Sequence, residues 1–290
     1  MCVVFLFLYN HFMSIESKLP AFSKDDFTVT AVEPWFKVKL QVIQDYLQAF
    51  LAETAGRVNE IVFVDLFAGS GFYSVGHQRE LIPMPGLLAL KQDPSFTKVI
   101  LCEQEAEAAK ALKVRTNKFF RGRNVVLFEE RPQDVVEKLR LYIPPSKKDY
   151  KVAVLCLVDP FTIQYEFSLL EKLASFGYSF LIPYTFQLNA RSDFRFYQKE
   201  KRDEVKYFVG ANEGSVMSAN NNTEFYKKLV RSHQNNMLTL GLSVSLSAHK
   251  LESKQMDLPF FYVGLFSKLV SAKVIARDVK ESAQPQFELF

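Results

Sequence analysis

Five short apolar segments alternate with helix-like segments through the middle of this 290-residue chain. The apolar segments are rich in valine, isoleucine, leucine and phenylalanine, which is typical of parallel strands that are buried on both faces. Each is followed by a segment with helical periodicity or with a proline in its first turn. Alternation of this kind predicts an α/β fold with a mostly parallel sheet and helices on both faces. The predicted strands are 61–66, 98–103, 124–128, 152–158 and 178–183.

Segments on either side of this alternation extend the predicted fold. Residues 34–54 carry apolar side chains, Val38 among them, at three- and four-residue spacing, which predicts a leading amphipathic helix with Pro34 in its first turn. Residues 242–251 and 260–268 have the composition of two further strands. A closing antiparallel pair at one edge would bring the sheet to seven strands.

The first residues of the chain have two open interpretations. Residues 1–12 are apolar, but they are too short to span a membrane and lack the features of a signal peptide. They are either an extra strand on the domain or an extension ahead of a true start at Met13, and we favour the second. The leading helical segment then covers 13–58. The α/β domain covers 59–290, with a divergent insertion near 185–223. Residues 210–223 have the polar composition of a loop, and a helix is predicted over 224–238.

Composition excludes several classes of protein. The chain is 48% hydrophobic with a net charge of +4, so it is globular and only mildly basic. The three cysteines lie far apart and the four histidines show no metal-ligand spacing, so we predict no metal and a reducing cytoplasm. A basic cluster at 113–123 is free of acids and contains Phe119 and Phe120. A solvated helix face is its usual explanation, and contact with a phosphate backbone is the alternative.

The strongest local signal is the segment Asp-Leu-Phe-Ala-Gly-Ser-Gly at 65–71, which ends the first predicted strand. Ligands of open α/β sheets bind at this edge, and glycines let the backbone turn tightly and approach them. A dinucleotide fingerprint needs a third glycine, but residue 74 is serine, and Asp65 would repel a pyrophosphate. The same carboxylate attracts an ammonium or a sulfonium group, and S-adenosylmethionine carries both. The predicted cofactor-binding residues here are Asp65, Phe67, Ala68, Gly69 and Gly71, and a plain strand-to-helix turn is the alternative.

Acidic residues follow the next two predicted strands. Glu103 can accept the ribose hydroxyls of a bound adenosine, as the acidic residue of dinucleotide folds does, while a solvated acid at a helix start is an equal alternative. It lies further from Gly71 than the usual distance of about 20 residues, which a loop insertion at 76–86 would explain. Glu130 is the candidate contact for the adenine amino group, and Asp134 competes with it.

The fourth predicted strand ends at Asp159-Pro160-Phe161. Methyltransferases that act on amino groups place an acid or amide, a proline and an aromatic residue at this point. The acid accepts a hydrogen bond from the target nitrogen, and the aromatic ring stacks on the flat substrate. We predict these three residues to be catalytic. The nucleic-acid enzymes usually have two prolines, and Thr162 here follows the aromatic, so a turn with Phe161 in the core remains the alternative.

Together these residues resemble a bacterial group, the three-Cys-motif partner proteins. The similarity includes Trp35, Lys39, Tyr46, VDLFAGSG at 64–71, Pro85-Gly86, Glu103, Asp159-Pro160-Phe161 and PFFYVGLFSK at 259–268. Residues 129–134 and 185–223 depart from the pattern of this group. The resemblance implies a Rossmann-like class I methyltransferase fold with a closing hairpin. It also implies a protein partner with a three-cysteine motif, and it fixes no activity.

Three functional hypotheses follow from the sequence. The first is an S-adenosylmethionine-dependent methyltransferase that acts on an amino group of a nucleic acid or nucleotide. The second is a non-catalytic module of the same fold that binds another protein or a nucleic acid, and an exposed apolar surface on the leading helix would favour it. The third is a hydride-transfer enzyme, which Asp65 and the missing third glycine disfavour. No segment is long and apolar enough to predict a membrane span.

Overall fold

A computed structural model describes residues 25–163, 165–210 and 213–271 of the chain. The predicted extension at 1–12 lies outside the described residues. In chain order the strands are β1 (Thr30–Val32), β2 (Glu60–Asp65), β3 (Phe72–Val75), β4 (Glu80–Pro83), β5 (Lys98–Cys102), β6 (Val125–Phe128), β7 (Val152–Leu157), β8 (Ser179–Tyr184), β9 (Ser243–Lys250) and β10 (Phe260–Ser267). The helices are α1 (Phe36–Thr54), α2 (Pro85–Leu90), α3 (Ala106–Phe119), α4 (Pro132–Tyr142), α5 (Phe167–Ser175), α6 (Phe194–Lys199), α7 (Arg202–Val209), α8 (Glu213–Met217) and α9 (Asn222–Thr239).

The central sheet has seven strands in the order β6-β5-β2-β7-β8-β10-β9. The strands from β6 to β8 are parallel, and β10 pairs antiparallel with both β8 and β9. This arrangement confirms the predicted α/β fold with a closing antiparallel pair. The chain builds outward from β2 through β5 to β6 and then returns to β7. The sheet therefore has its topological switch point between β2 and β7.

A second, three-stranded sheet contains β1, β3 and β4. The insertion predicted at 76–86 is present, but it is not a loop, because β4 lies within it and pairs antiparallel with β3. Gly76 has a φ of +60° in the turn, a value that glycine adopts without strain. The sheet is completed by β1, which pairs parallel with β3 from a position before α1.

The polar stretch at 210–223, expected from its composition to be a loop, is also partly helical. It contains α8 and the first residues of α9, while residues 211–212 are outside the described ranges. The side chain of Asn221 accepts a hydrogen bond from Glu224 N at 2.8 Å, so it caps α9. Asparagine favours both loops and helix N-caps, which explains why composition alone misplaced this helix start.

The leading helix α1 packs against β8 and β10 through its apolar face. Trp35, Tyr46 and Phe50 are all buried in the single chain. This burial argues against the version of the partner-module hypothesis that needs an exposed apolar surface here. Val38, predicted on the same face, is 45% exposed, and Lys39 takes the buried position next to it.

None of the described helices is both long and apolar enough to cross a membrane.

Phe50→Ala should lower the free energy of unfolding by about 3–5 kcal/mol, because a fully buried aromatic side chain leaves a cavity. Gln48, an exposed residue of the same helix, provides the control. Gln48→Ala should change the free energy by less than about 0.5 kcal/mol. Urea denaturation of the two variants measures the difference, and equal effects would contradict the described packing of α1.

Candidate functional site

The predicted site residues converge at the carboxyl edge of the central sheet. Asp65 is the last residue of β2, and Asp159 lies two residues beyond the end of β7. Backbone pairing continues past the strands, since Leu66 N donates to Leu157 O at 3.2 Å. The two aspartates therefore flank the topological switch point, where open α/β sheets bind their ligands.

Asp65 is a buried carboxyl group that is only half satisfied. The residue is 1% exposed, and its Oδ1 accepts a hydrogen bond from Phe67 N at 3.1 Å. Its Oδ2 is buried and has no hydrogen-bond partner within the described ranges. Burial raises the pKa of Asp65 to about 8, and the charges of Asp159 and Glu103 act in the same direction. A buried carboxylate oxygen without a partner is a strong acceptor for a donor supplied from outside.

The glycine loop that follows Asp65 has a left-handed backbone at two glycines and packs closely against its neighbours. Gly69 and Gly71 have φ values of +63° and +98°, in the left-handed region that favours glycine. A Cβ atom on Gly69 would lie 2.6 Å from Met84 Sδ, and Gly71 N donates to the same sulfur at 3.3 Å. Ala68 is buried and its N donates to Cys102 O at 2.9 Å, which ties the loop to β5. Phe67 is half-buried beside them.

Glu103 directly joins the glycine loop to the end of β5. Its two carboxylate oxygens accept hydrogen bonds from Gly69 N and Glu105 N, each at 2.8 Å. Its own N donates to Phe128 O at 2.9 Å, which brings the end of β6 alongside. The solvated-acid interpretation is therefore incomplete, because the carboxylate fixes the loop. Each oxygen retains a second lone pair, so it can still accept a ribose hydroxyl.

The predicted adenine contacts lie at the end of β6 and on the first turn of α4. Glu130 is half-buried and forms an ion pair with Lys138. Asp134 is 46% exposed and pairs with Arg131 at 2.8 Å. Glu130 follows β6 by two residues, and Asp134 lies on α4.

Lys39 is the principal residue of this site that pattern analysis did not identify as functional. It is completely buried on α1, and its Nζ lies 2.7 Å from both Oδ1 and Oδ2 of Asp159. Nζ also donates to Thr185 Oγ1 at 3.0 Å, just beyond the end of β8. The signal in the sequence was a lysine in phase with the apolar face of α1. Its partners lie 120 and 146 residues away, and no local pattern reveals them.

Burial acts on the two members of this ion pair in opposite directions. It raises the pKa of Asp159, while the Lys39 ammonium lowers it in part. It lowers the pKa of Lys39, while the Asp159 carboxylate opposes that change. Both effects bring the two pKa values towards each other, so burial favours sharing or transfer of the proton between the two groups.

Phe161 lies directly beside the ion pair in a strained backbone conformation. Its φ is +58°, which costs a residue with a Cβ atom about 1–2 kcal/mol. Its half-buried ring lies 3.9 Å from Lys39 Nζ and packs against Phe36 and Tyr73, with ring centroids 5.4 and 6.3 Å away. Pro160 before it is also half-buried. Phe161 is therefore neither a plain core residue nor a free surface ring, and it covers the amine.

Arg115 supports the glycine loop from α3 and is 1% exposed. Its Nη1 donates to Ser70 O at 2.7 Å and to Thr28 O at 3.0 Å. Its Nη2 pairs with Asp25 at 2.6 Å, and this hydrogen bond holds the pKa of Asp25 below its ordinary value. One guanidinium thus joins the glycine loop to the segment that precedes β1.

Within residues 25–163, 165–210 and 213–271, no three histidine, cysteine, aspartate or glutamate side chains are grouped so that they could hold a metal ion.

The sequence matches no family model and no curated protein. Its fold is similar to that of a Legionella pneumophila protein at 12% identity and a TM-score of 0.45, over 78% of this chain and 84% of that one. An rRNA methylase from Streptococcus thermophilus gives 12% identity and a TM-score of 0.36, over 80% and 95% of the two chains. Magnesium protoporphyrin IX methyltransferase from Synechocystis, solved with bound S-adenosylmethionine, gives 9% identity and a TM-score of 0.41. The match covers 79% of this chain and 80% of that one. Similarities of this size carry no information about the ligand or the reaction of this chain.

Asp65→Asn should stabilise the protein more as the pH rises from 6 to 8. The pKa of Asp65 is about 8 in the folded protein against an ordinary value of 3.8, so between these values the folded state holds a proton that the unfolded state has lost. Stability falls with pH wherever the folded state binds more protons, and asparagine does not titrate. The Tm of the variant relative to the wild type should therefore increase up to about pH 8 and then stay level.

The exposed residue Asp149 provides the control for this series. Asp149→Asn should keep a constant Tm difference from the wild type across the same pH values. The same Tm difference for Asp65→Asn at pH 6 and at pH 9 would show that Asp65 is not a buried, proton-binding group.

Lys39→Met should lower the free energy of unfolding by about 3–5 kcal/mol, because it leaves Asp159 buried without its cation. Adding Asp159→Asn removes the second charge, so the double variant should regain at least half of that loss. Lys37→Met changes an exposed lysine on the same helix and should cost less than about 1 kcal/mol. Urea denaturation of the four proteins of the double-mutant cycle gives the coupling energy, and additive single effects would contradict a direct ion pair.

Proposed function

We propose that this chain is an S-adenosylmethionine-dependent methyltransferase that acts on an amino group of a nucleic acid or nucleotide. We also propose that it is related to the three-Cys-motif partner proteins, so that a protein with a three-cysteine motif is its partner. The observation that carries the methyltransferase proposal is the unpartnered, buried Oδ2 of Asp65 beside the glycine loop at the switch point.

The residues around Asp65 fit this cofactor better than they fit a dinucleotide. An ammonium group can donate to the unpartnered Oδ2 and compensate its burial. A dinucleotide would instead place its pyrophosphate beside Glu103, whose charge already raises the pKa of Asp65. A Cβ atom on Gly86 would lie 2.7 Å from Leu101 Cδ2, so this position, next to Asp65 Oδ2, has no room for a larger residue.

The other predicted contacts extend along the sheet edge from Asp65. Glu103 would accept the ribose hydroxyls with its remaining lone pairs, and Glu130 would accept from the adenine amino group. The loop residues that would line the cofactor are Phe67, Ala68, Gly69 and Gly71. When bound, S-adenosylmethionine supplies a methyl group on a positively charged sulfur.

The contacts of Lys39 support an amino group as the acceptor. Asp159 and Thr185 already bind a nitrogen, Lys39 Nζ, and the ring of Phe161 lies over it at 3.9 Å. An amino group of a substrate would find the same acceptors and the same aromatic face. Asp159 would orient the nitrogen through its hydrogens, which fixes the direction of its lone pair. The raised pKa of Asp159 suits it to take up the proton that the methylated nitrogen releases.

A non-catalytic partner module is the second candidate, and the same ion pair favours it. Lys39 Nζ is within hydrogen-bonding distance of both oxygens of Asp159, as expected of a purely structural pair. A substrate amino group would have to share Asp159 with Lys39 or displace it. Cofactor binding without methyl transfer to any DNA, RNA or nucleotide would support this second candidate over the first.

Calorimetric titration of the purified chain should show micromolar binding of S-adenosylmethionine and S-adenosylhomocysteine and no binding of NADH. Asp65→Asn keeps the shape of the side chain but loses its charge. It should weaken binding by about 10-fold to 100-fold, since a hydrogen bond to a charged group contributes about 1.5–3 kcal/mol. The exposed Asp149→Asn should bind like the wild type.

Two results of this titration would count against the proposed function. A folded wild type that binds neither methyl donor nor product would overturn the assignment of the cofactor. Equal affinities for the wild type and Asp65→Asn would leave the cofactor in place and remove Asp65 from its binding site.

A further inference from the structure

A surface hollow of about 400 Å³ lies at the end of α3 and the start of β6. None of the predicted cofactor or catalytic residues lines it. Its lining is formed by the last turns of α3, the turn that follows and the first residue of β6, and includes Asn117, Phe120, Arg121, Arg123 and Val125. In the turn, Arg123 N donates to Phe120 O at 3.0 Å, and Gly122 between the two arginines has a φ of +89°.

Three exposed basic residues in the chain around the hollow have no acidic partner among the described residues. No aspartate or glutamate occurs between Ala108 and Phe128. Lys110, Lys113 and Arg121 are exposed in this stretch, and none of them forms an ion pair with a described residue. Uncompensated cations concentrated on one face produce a local field that attracts anions.

Arg123 provides the observation that points to a ligand. Its Nη2 is buried, and no described residue accepts a hydrogen bond from it. Basic side chains near a helix C-terminus often donate to the last carbonyls of the helix. No described carbonyl of α3 accepts from Arg121 or Arg123, so capping does not account for them. A buried guanidinium nitrogen without an acceptor is costly unless an external acceptor satisfies it.

A buried side chain on α3, next to the hollow, contacts the candidate site. The hollow begins at Thr116, the residue after Arg115, whose guanidinium donates to Ser70 O in the glycine loop. A single arginine side chain therefore spans from this part of α3 to the loop. The hollow lies beside the first residue of β6 and the candidate site at the other end of the parallel strands, so a ligand that contacts both has to extend along α3.

We propose that this hollow binds a phosphate group in the backbone of a single-stranded nucleic acid. The proposal rests on the proposed function and adds to it a second contact for the substrate. Arginine guanidinium groups match phosphate oxygens in a bidentate geometry, and two of them line the hollow. The half-buried ring of Phe120 between them and Asn117 offers a face on which a base can stack.

This contact is tested by fluorescence anisotropy of the full chain with a labelled single-stranded oligonucleotide of about 20 nucleotides. The oligonucleotide is used as DNA and as RNA, each at several salt concentrations. The test variant is Arg121→Gln with Arg123→Gln. The matched control is Lys147→Gln with Lys148→Gln, which removes the same charge from an exposed loop. At low salt the arginine variant should bind about 10-fold or more weakly, and the control should stay within about 2-fold of the wild type.

The salt dependence distinguishes a phosphate contact from a structural role. Each contact with a single strand contributes about 0.7 to the slope of log K against log salt, so the arginine variant should lose about 1.4 from that slope. The control should keep the slope of the wild type. Equal losses in the two variants, or an unchanged slope in the arginine variant, would overturn the proposal.

Two further measurements complete the test. The first distinguishes a free phosphate from a nucleic acid, and the second distinguishes failure of this proposal from failure of the proposed function. Inorganic phosphate and a mononucleotide serve as competitors. Binding of these small anions to the wild type, with no binding of the oligonucleotide, would assign the hollow to a free phosphate and overturn the nucleic-acid contact. Calorimetry with S-adenosylmethionine should give the arginine variant the affinity of the wild type. If the wild type does not bind S-adenosylmethionine, the proposed function is overturned, whether or not the oligonucleotide binds.

Discussion

The carboxyl edge of the central sheet buries two carboxyl groups, and the rest of the site is arranged around their charges. Burying an ionised carboxylate is costly unless a partner compensates it, and Asp159 has such a partner in the Lys39 ammonium. This ion pair fixes α1 against the ends of β7 and β8. Asp65 has no comparable partner, so its pKa is raised and one of its oxygens is left for an external donor. On this difference rests our proposal that Asp65 faces the cofactor and Asp159 the substrate.

The main sheet was predictable from the sequence because each of its parallel strands is a short, continuous apolar segment. Such runs are recognisable without knowledge of their neighbours. The second sheet was not predictable from the sequence, because its strands are only three or four residues long. In addition, the whole of α1 separates β1 from its partner β3 along the chain. The start of α9 was missed for a different reason. Asparagine is common in loops, whereas the role of Asn221 as a helix cap depends on the direction of its side chain.

The candidate site was predictable in its parts but not in its connections. Asp65, Gly69 and Glu103 stood out because strand ends at one sheet edge meet in space. The hydrogen bond from Gly69 N to Glu103, and the packing of Met84 over Gly69, join segments that have no local relation in the sequence. Lys39 was hidden for the same reason, since a lysine on an apolar helix face acquires meaning only from its distant partners. The same kind of distant contact, through the buried Arg115, connects the glycine loop to α3 and to the segment that precedes β1.

The most direct test of this account is the number of protons released when S-adenosylmethionine binds at pH 6.5. Calorimetry in buffers of different ionisation enthalpy gives that number. With its raised pKa of about 8, Asp65 is protonated at this pH in the free protein, and it must ionise to bind an ammonium group. The account predicts a release close to one proton by the wild type and none by Asp65→Asn. Binding with no release of a proton, or with uptake, would contradict an Asp65 that is protonated in the free protein and ionises to accept the cofactor.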